Sequence, residues 1–193
     1  MRPDTGAPDF VTRSAYQRYA FAAAYLAGTS VLDVGAGVAD ASLPLRHVAA
    51  VYRACDMEPE PGSGVIEAVL PADAGKLEPA DTVVAFEVFD HTSPDQQFGF
   101  LEACWSLARR RFILSTPDTD ARRWYPQTDV FFGVDNPDHL RELPGWKLRR
   151  YLTRACPGGI VTLVPNGLDE SDVFVTGAAG MPAASWFAVV DRA

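Results

Sequence analysis

The sequence predicts an α/β domain built on a mostly parallel sheet, and two observations carry this prediction. Apolar runs of strand length, such as 31–34 and 81–86, alternate with segments whose apolar residues recur at helical spacing. The first run leads directly into Gly35 and Gly37, which let the backbone turn sharply beside a ligand. Ligands in open α/β sheets bind outside the carboxyl ends of the strands, so this turn predicts a site for a nucleotide-like molecule.

The residues around the turn distinguish between two classes of ligand. A dinucleotide fingerprint, G-x-G-x-x-G, ends in glycine or alanine, but this chain has Asp40 there, and a carboxylate disfavours a pyrophosphate. The stretch 30–40, S-V-L-D-V-G-A-G-V-A-D, resembles motif I of class I S-adenosylmethionine-dependent methyltransferases, commonly written VLDxGxGxG. Ala39 stands where that family usually has a third glycine.

The resemblance implies a fold and a cofactor. The implied fold is a Rossmann-like sheet of seven strands, mostly parallel, with helices on both faces and the last strand antiparallel. The implied cofactor is S-adenosylmethionine, which leaves as S-adenosylhomocysteine. The motif I residues expected to contact it are Asp33, Gly35, Ala36 and Gly37.

Composition fits one domain spanning 1–193. The chain has 193 residues, 48% of them hydrophobic, which is enough for one full core. A net charge of −8 repels phosphate backbones, so we expect a small molecule or sugar as partner and no nucleic acid. Cys55, Cys104 and Cys156 form neither a disulfide framework nor a zinc motif, which favours the cytoplasm. We find no run long and apolar enough for a membrane span.

The N-terminal segment, 1–28, is predicted to be helical up to a stop at Gly28. Its stretch 18–22, R-Y-A-F-A, is similar to a segment of methyltransferases found among glycan-biosynthesis genes. In that group the arginine and tyrosine help hold the carboxylate end of the cofactor, which implies this role for Arg18 and Tyr19. Alternatively, Tyr19 is a core aromatic residue and Arg18 a solvated charge.

The second predicted strand, 49–55, ends in Asp56, which lies 19 residues past Gly37. A carboxylate at this position can accept hydrogen bonds from both ribose hydroxyls. We therefore predict the ribose contact at Asp56, with Met57 beside it and Glu58 as the alternative.

The second crossover is predicted to be short. Residues 58–64 are rich in proline and glycine, where the family has a long helix, and a third strand follows at 65–70. Asp73 and Ala74 resemble the family's acidic loop over the adenine, in which a carboxylate accepts a hydrogen bond from the exocyclic amine.

The run 81–91, D-T-V-V-A-F-E-V-F-D-H, resembles the family's D-x-V-x-x-x-E-V-L-E-H segment at strand four. The end of that strand faces the transferable methyl group, which implies that Phe86 and Glu87 lie near the methionine moiety. His91 is the first candidate for a base that accepts a hydroxyl proton, since the pKa of histidine lies near neutrality, and Asp90 can orient it.

A second candidate base is His139, in the stretch N-P-D-H-L-R-E at 136–142, which resembles the same glycan-associated group. Each histidine can instead have a purely structural role. Asp90, His91, Asp118 and His139 could also bind a divalent metal, but no spacing among them is diagnostic, and we assign no metal site.

Toward the C-terminus, the long loop 120–134 is a candidate wall of the substrate site. Alternating aromatic and β-branched residues predict the last two strands at 146–152 and 186–190. An insertion over 153–183 separates them and can add a hairpin.

These features predict a methyltransferase acting on a hydroxyl or amine of a small polar metabolite or sugar. Two alternatives stay open: a catalytically inactive module that binds the cofactor, and a nicotinamide-dependent oxidoreductase, which Asp40 disfavours. The oligomeric state is left open.

Overall fold

The computed structural model describes residues 10–37, 42–120, 140–168, 174–177 and 183–193. The strands are β1 (Ser30–Val34), β2 (Val51–Asp56), β3 (Ile66–Glu67), β4 (Ala80–Phe86), β5 (Ala108–Pro117), β6 (Gly159–Leu168), β7 (Phe174–Thr176) and β8 (Ser185–Arg192). The helices are α1 (Phe10–Ala23), α2 (Leu43–Val48), α3 (Gln97–Leu107) and α4 (Gly145–Ala155), and a short 3-10 helix covers Ala74–Lys76.

The strands form one sheet in the order β3-β2-β1-β4-β5-β8-β6-β7. Strands β1 to β5 run parallel, whereas β8 runs antiparallel to its neighbours β5 and β6. The predicted seven-stranded, mostly parallel sheet with an antiparallel last strand is confirmed, and the short β7 adds an eighth strand at the edge beside β6. The strand order reverses between β1 and β4, where doubly wound sheets open a ligand crevice.

Helices cover both faces of the sheet, as predicted. Successive strand residues point to opposite faces, so Val83 and Val84 of β4 enter different cores. Val84 packs in the cluster that contains Leu45 of α2 and buried residues of α1. Val83 packs in the cluster that contains Leu148 of α4 and buried residues of α3.

The predicted strand at 146–152 is wrong, because these residues belong to helix α4. Leu148, Leu152 and Ala155 are buried at spacings of four and three residues, which is the period of a helix face. Burial of this face against the sheet outweighs the strand preference of Trp146 and Tyr151.

The segment predicted as an insertion, 153–183, instead supplies a strand of the main sheet. Strand β6 pairs with β8 from Gly159 opposite Arg192 to Asn166 opposite Ser185. Its other edge pairs antiparallel with β7, so the expected hairpin is confirmed.

Two further boundaries differ from the sequence prediction. The third strand, expected over 65–70, is only two residues long. Helix α1 ends at Ala23, before Gly28, which has a positive φ of 72°. The loop from 57 to 65 contains no helix, as expected from its prolines and glycines. Among the helices that the structure describes, none has the length and apolar character needed to cross a membrane.

Candidate active site

A cavity of about 370 Å³ lies at the carboxyl ends of β1, β2 and β4. Its size is typical of sites for small ligands. The predicted residues that line it are Gly35, Asp56, Met57, Glu87 and His91. The remaining lining residues are Val34, Ala68, Val69, Leu70, Val88, Thr92, Ser93, Gln96, Phe100 and Leu140.

The glycine turn after β1 is tied to β2 and leaves no room for a side chain. The backbone N–H groups of Gly35 and Ala36 both donate to the carbonyl of Cys55, at 2.8 and 3.2 Å. Gly35 has a φ of +71°, and a Cβ there would overlap Cγ2 of Val88. Only glycine therefore fits between the turn and the loop that follows β4.

The Asp56 carboxylate is held by two backbone donors. The N–H of Gly37 donates to Oδ2 at 2.8 Å, and the N–H of Glu58 donates to Oδ1 at 3.0 Å. Each carboxylate oxygen has a second lone pair, so Asp56 can still accept two hydroxyl hydrogen bonds from a ligand. The two amides fix the orientation in which it does so.

Asp33 precedes the lining residues Val34 and Gly35 but does not itself line the cavity. Its carboxyl group is fully buried, and the Tyr52 hydroxyl donates to Oδ2 at 2.6 Å. Burial raises the pKa of Asp33 to about 7, although hydrogen bonds from Tyr52 and Tyr19 oppose the shift. Tyr19 is itself buried and packs edge-on against Phe86, with 5.0 Å between ring centroids. Asp33, Tyr19 and Phe86, all predicted to contact the cofactor, are therefore buried and do not line the cavity.

Glu87 connects the cavity wall to α1 and β5. Its Oε1 lies 3.3 Å from Nε of Arg18 and accepts a hydrogen bond of 2.6 Å from the Ser115 hydroxyl. Glu87 has a positive φ of 55°, which is uncommon for a residue with a side chain and is associated with functional sites. The predicted residues Arg18 and Glu87 are therefore brought together.

His91 lies at the mouth of the cavity. Its side chain is exposed and its Nε2 lies 3.5 Å from Oδ2 of Asp90, whose side chain is fully buried. The carbonyl of Asp90 accepts hydrogen bonds from the N–H groups of Leu140 and Arg141, at 2.9 and 3.1 Å. The segment that begins at Leu140 is therefore fastened to the loop that carries the histidine.

No family model and no curated protein sequence matches the chain. Solved structures do match it. A SAM-dependent methyltransferase from Archaeoglobus fulgidus is 13% identical and superposes with a TM-score of 0.70 over 94% of this chain and 93% of its own. The magnesium protoporphyrin IX methyltransferase of Synechocystis PCC 6803, with bound SAM, is 18% identical, with a TM-score of 0.65 over 97% of this chain and 86% of its own.

The chain has the fold of the class I S-adenosylmethionine-dependent methyltransferases. The small RNA methyltransferase HEN1 has it too, with 18% identity and a TM-score of 0.68 over 91% of this chain. The present chain spans only a quarter of the length of HEN1.

The prediction that excluded nucleic acid as a partner of this chain is wrong. It followed from the net charge of −8 alone. HEN1 is a small RNA methyltransferase built on this same fold. Net charge describes the whole surface, whereas a substrate binds at one part of it, so the sum does not exclude RNA.

Asp73 and Ala74 do not line the cavity. Oδ2 of Asp73 accepts a hydrogen bond from the Val69 N–H at 3.0 Å, and Oδ1 pairs with Nζ of Lys76 at 2.7 Å. Lys76 and the Val69 amide hold the pKa of Asp73 below its usual range. The carboxylate therefore closes its own loop, and the residues of this loop that reach the cavity are 68–70.

Several predicted features lie outside the described residues, namely Ala39, Asp40, the loop from 121 to 134 and His139. Asp118 is buried at the end of β5, where it accepts hydrogen bonds from the Trp186 indole and, at 2.7 Å, from the Asp120 N–H. Within the described part of the chain, no three histidine, cysteine or acidic residues are grouped so as to hold a metal ion.

Tyr52 and Ser115 are the structural partners that sequence reasoning missed. In the register of β1 and β2, Ala54 lies opposite Asp33, and Tyr52 is on the same face two residues earlier. Ser115 lies opposite Phe86 in the register of β4 and β5. Strand register could have identified both residues, but spacing along the chain could not.

Proposed function

We propose that this protein transfers a methyl group from S-adenosylmethionine to a hydroxyl or amine of a small polar metabolite or sugar. The observation that carries the proposal is the oriented Asp56 carboxylate, which lies in a ligand-sized cavity at the switch point of this fold. A carboxylate fixed in this way is suited to a ribose with two free hydroxyls.

The described residues fit the three parts of the cofactor. Asp56 would hold the ribose next to the glycine turn, where Gly35 lines the cavity. The apolar wall formed by 68–70 and Phe100 suits the adenine. Arg18 and Glu87 offer opposite charges to the carboxylate and ammonium groups of the methionine end. When bound, the cofactor supplies a methyl group already activated by the sulfonium.

The chain's own contribution to the reaction is to position the acceptor and to take up a proton. His91 lines the cavity, so its imidazole can reach an acceptor hydroxyl there. If the Nε2–H of His91 faces Asp90, as the 3.5 Å separation favours, the lone pair that accepts the proton is on Nδ1. Asp90 would then act by orienting the ring.

Isothermal calorimetry with S-adenosylhomocysteine tests the cofactor assignment. We expect a micromolar dissociation constant, about −8 kcal/mol, and no heat with NADH at the same concentrations. Binding of NADH instead would favour an oxidoreductase. Binding of S-adenosylhomocysteine without methyl incorporation into any sugar, metabolite or RNA acceptor would favour the inactive binding module.

The Asp56→Ala variant should bind S-adenosylmethionine at least tenfold more weakly, a loss of about 1.4 kcal/mol or more, because two charge-assisted hydrogen bonds to the ribose disappear. Calorimetry of the variant against the unaltered protein measures this change. Glu60→Ala is the matched control, since Glu60 is an exposed carboxylate of the same loop and does not line the cavity. Equal affinities of the Asp56 variant and the unaltered protein would contradict the ribose assignment.

A further inference from the structure

A second groove, of about 310 Å³, lies beside the candidate active site, where α4 meets the start of α3. Its lining is aromatic and basic. The lining residues are Pro94, Phe98, Trp146, Lys147, Arg150, Tyr151 and Arg154, which we call the basic groove.

One aromatic side chain of the basic groove is exposed, whereas Phe98 and Tyr151 are half-buried and pack against the core. Trp146 is 68% exposed, although tryptophan is among the residues that gain most from burial. The Arg154 guanidinium lies 5.6 Å from the centroid of the Phe98 ring, within the range of cation–π contacts. An exposed indole next to such a pair provides a flat surface on which a planar group can stack.

The cations of the basic groove have no acidic counterpart in its lining. Among the described residues, no ion pair joins Lys147, Arg150 or Arg154 to a carboxylate. Three such charges at one concave site are unusual in a chain with a net charge of −8. They attract a ligand that carries several negative charges, and arginine is particularly suited to phosphate oxygens.

The basic groove and the active-site cavity share a wall. Thr92, Ser93 and Gln96 line the cavity, whereas Pro94 lines the basic groove. A single loop between β4 and α3 therefore separates the two. A ligand anchored in the groove can extend across this loop and place another part of itself beside His91.

We propose that the basic groove binds the nucleotide portion of the methyl acceptor, so that the acceptor is a nucleoside-diphosphate-linked metabolite. The base stacks on Trp146, and the phosphates contact Lys147 and Arg150. This identity rests on the proposed methyl transfer, because the groove adjoins that cavity. The volume of the groove suits one nucleotide. A membrane would require a protruding apolar surface, whereas this one is concave and cationic.

Calorimetry with ADP and UDP, in the presence of saturating S-adenosylhomocysteine, tests the proposal. We expect binding of at least one of the two, and at least tenfold weaker binding by Trp146→Ala and by Arg150→Glu. Both positions are exposed, so the variants should fold. Arg110→Glu is the matched control, since it makes the same change in charge at an exposed residue in a different pocket, and it should bind as the unaltered protein does.

Adenosine, uridine, inorganic pyrophosphate and a ten-nucleotide single-stranded RNA complete the set of probes. Equal affinity for pyrophosphate and ADP would overturn the proposal in favour of a general anion patch. Binding of the RNA without binding of ADP or UDP would overturn it in favour of a strand-binding surface. If the unaltered protein binds S-adenosylhomocysteine but neither ADP nor UDP, the nucleotide-site proposal is wrong and the proposed methyl transfer still stands. Absence of S-adenosylhomocysteine binding, with ADP or UDP still bound, defeats the proposed methyl transfer but not the nucleotide site.

Discussion

Replacing His91 by alanine should lower the rate of methyl transfer by roughly 10²–10⁴-fold, the usual contribution of a general base. The affinity for S-adenosylmethionine should stay unchanged, because the cofactor contacts proposed above do not involve His91. The measurement is transfer of labelled methyl to the acceptor found by screening, together with calorimetry on the same preparation.

The matched control for this variant is His47→Ala. His47 is an exposed histidine on α2 whose Nδ1 lies 2.8 Å from the carbonyl of Leu43, and it does not line the cavity. Its replacement should leave the transfer rate unchanged. A fully active His91→Ala variant would show that the histidine is structural and that the acceptor loses its proton elsewhere.

The second large effect concerns the pH dependence of stability. The Asp33 carboxyl has an ordinary pKa of 3.8 and a pKa of about 7 in the folded chain, because it is buried. Between these values the folded state keeps a proton that the unfolded chain has lost, so Asp33 makes the protein less stable as pH rises from about 4 to 7. At 1.36 kcal/mol per pKa unit, this loss is on the order of 4 kcal/mol.

Asp33→Asn should remove that loss, because the amide stays neutral at every pH. The free energy of unfolding, measured by urea denaturation, should shift in favour of the variant by several kcal/mol between pH 4 and pH 8, relative to the unaltered protein. Asp81→Asn is a control of opposite sign. Hydrogen bonds from the Ser30 N–H and hydroxyl lower the pKa of Asp81, so its carboxylate stabilises the fold at neutral pH. Parallel pH profiles for Asp33→Asn and the unaltered protein would contradict the assignment.

The part of the site that the sequence could predict is the part encoded locally. A strand, a glycine turn and an acid 19 residues later can be recognised from their spacing in the sequence. The structure brings them together, since the Gly37 N–H donates to the Asp56 carboxylate. Asp73 shows the opposite case. It resembled the acid of the family's adenine loop, but its carboxylate bonds to Val69 and Lys76, within four residues, and it does not line the cavity.

The errors in the predicted secondary structure have a similar origin. Residues 146–152 combine aromatic residues with charges, and in so short a window the alternation of a strand competes with the spacing of a helix. Only burial of Leu148 and Leu152 against the sheet decides for the helix. Strand β6 contains Pro165 and Gly167, both typical of turns, so its place beside β8 depends on pairing across the sheet rather than on its own residues.

Helix α4 carries a net charge opposite in sign to that of the rest of the chain. Its eleven residues carry four positive charges and no negative ones, so a net charge of −8 for the chain leaves −12 on everything else. An approaching anion is repelled from most directions and drawn toward one, so the field selects its orientation before contact. Added salt shortens the range of this guidance to about 8 Å at physiological ionic strength. Capture of anions by this face should therefore be fastest in dilute buffer and slow steadily as salt is added.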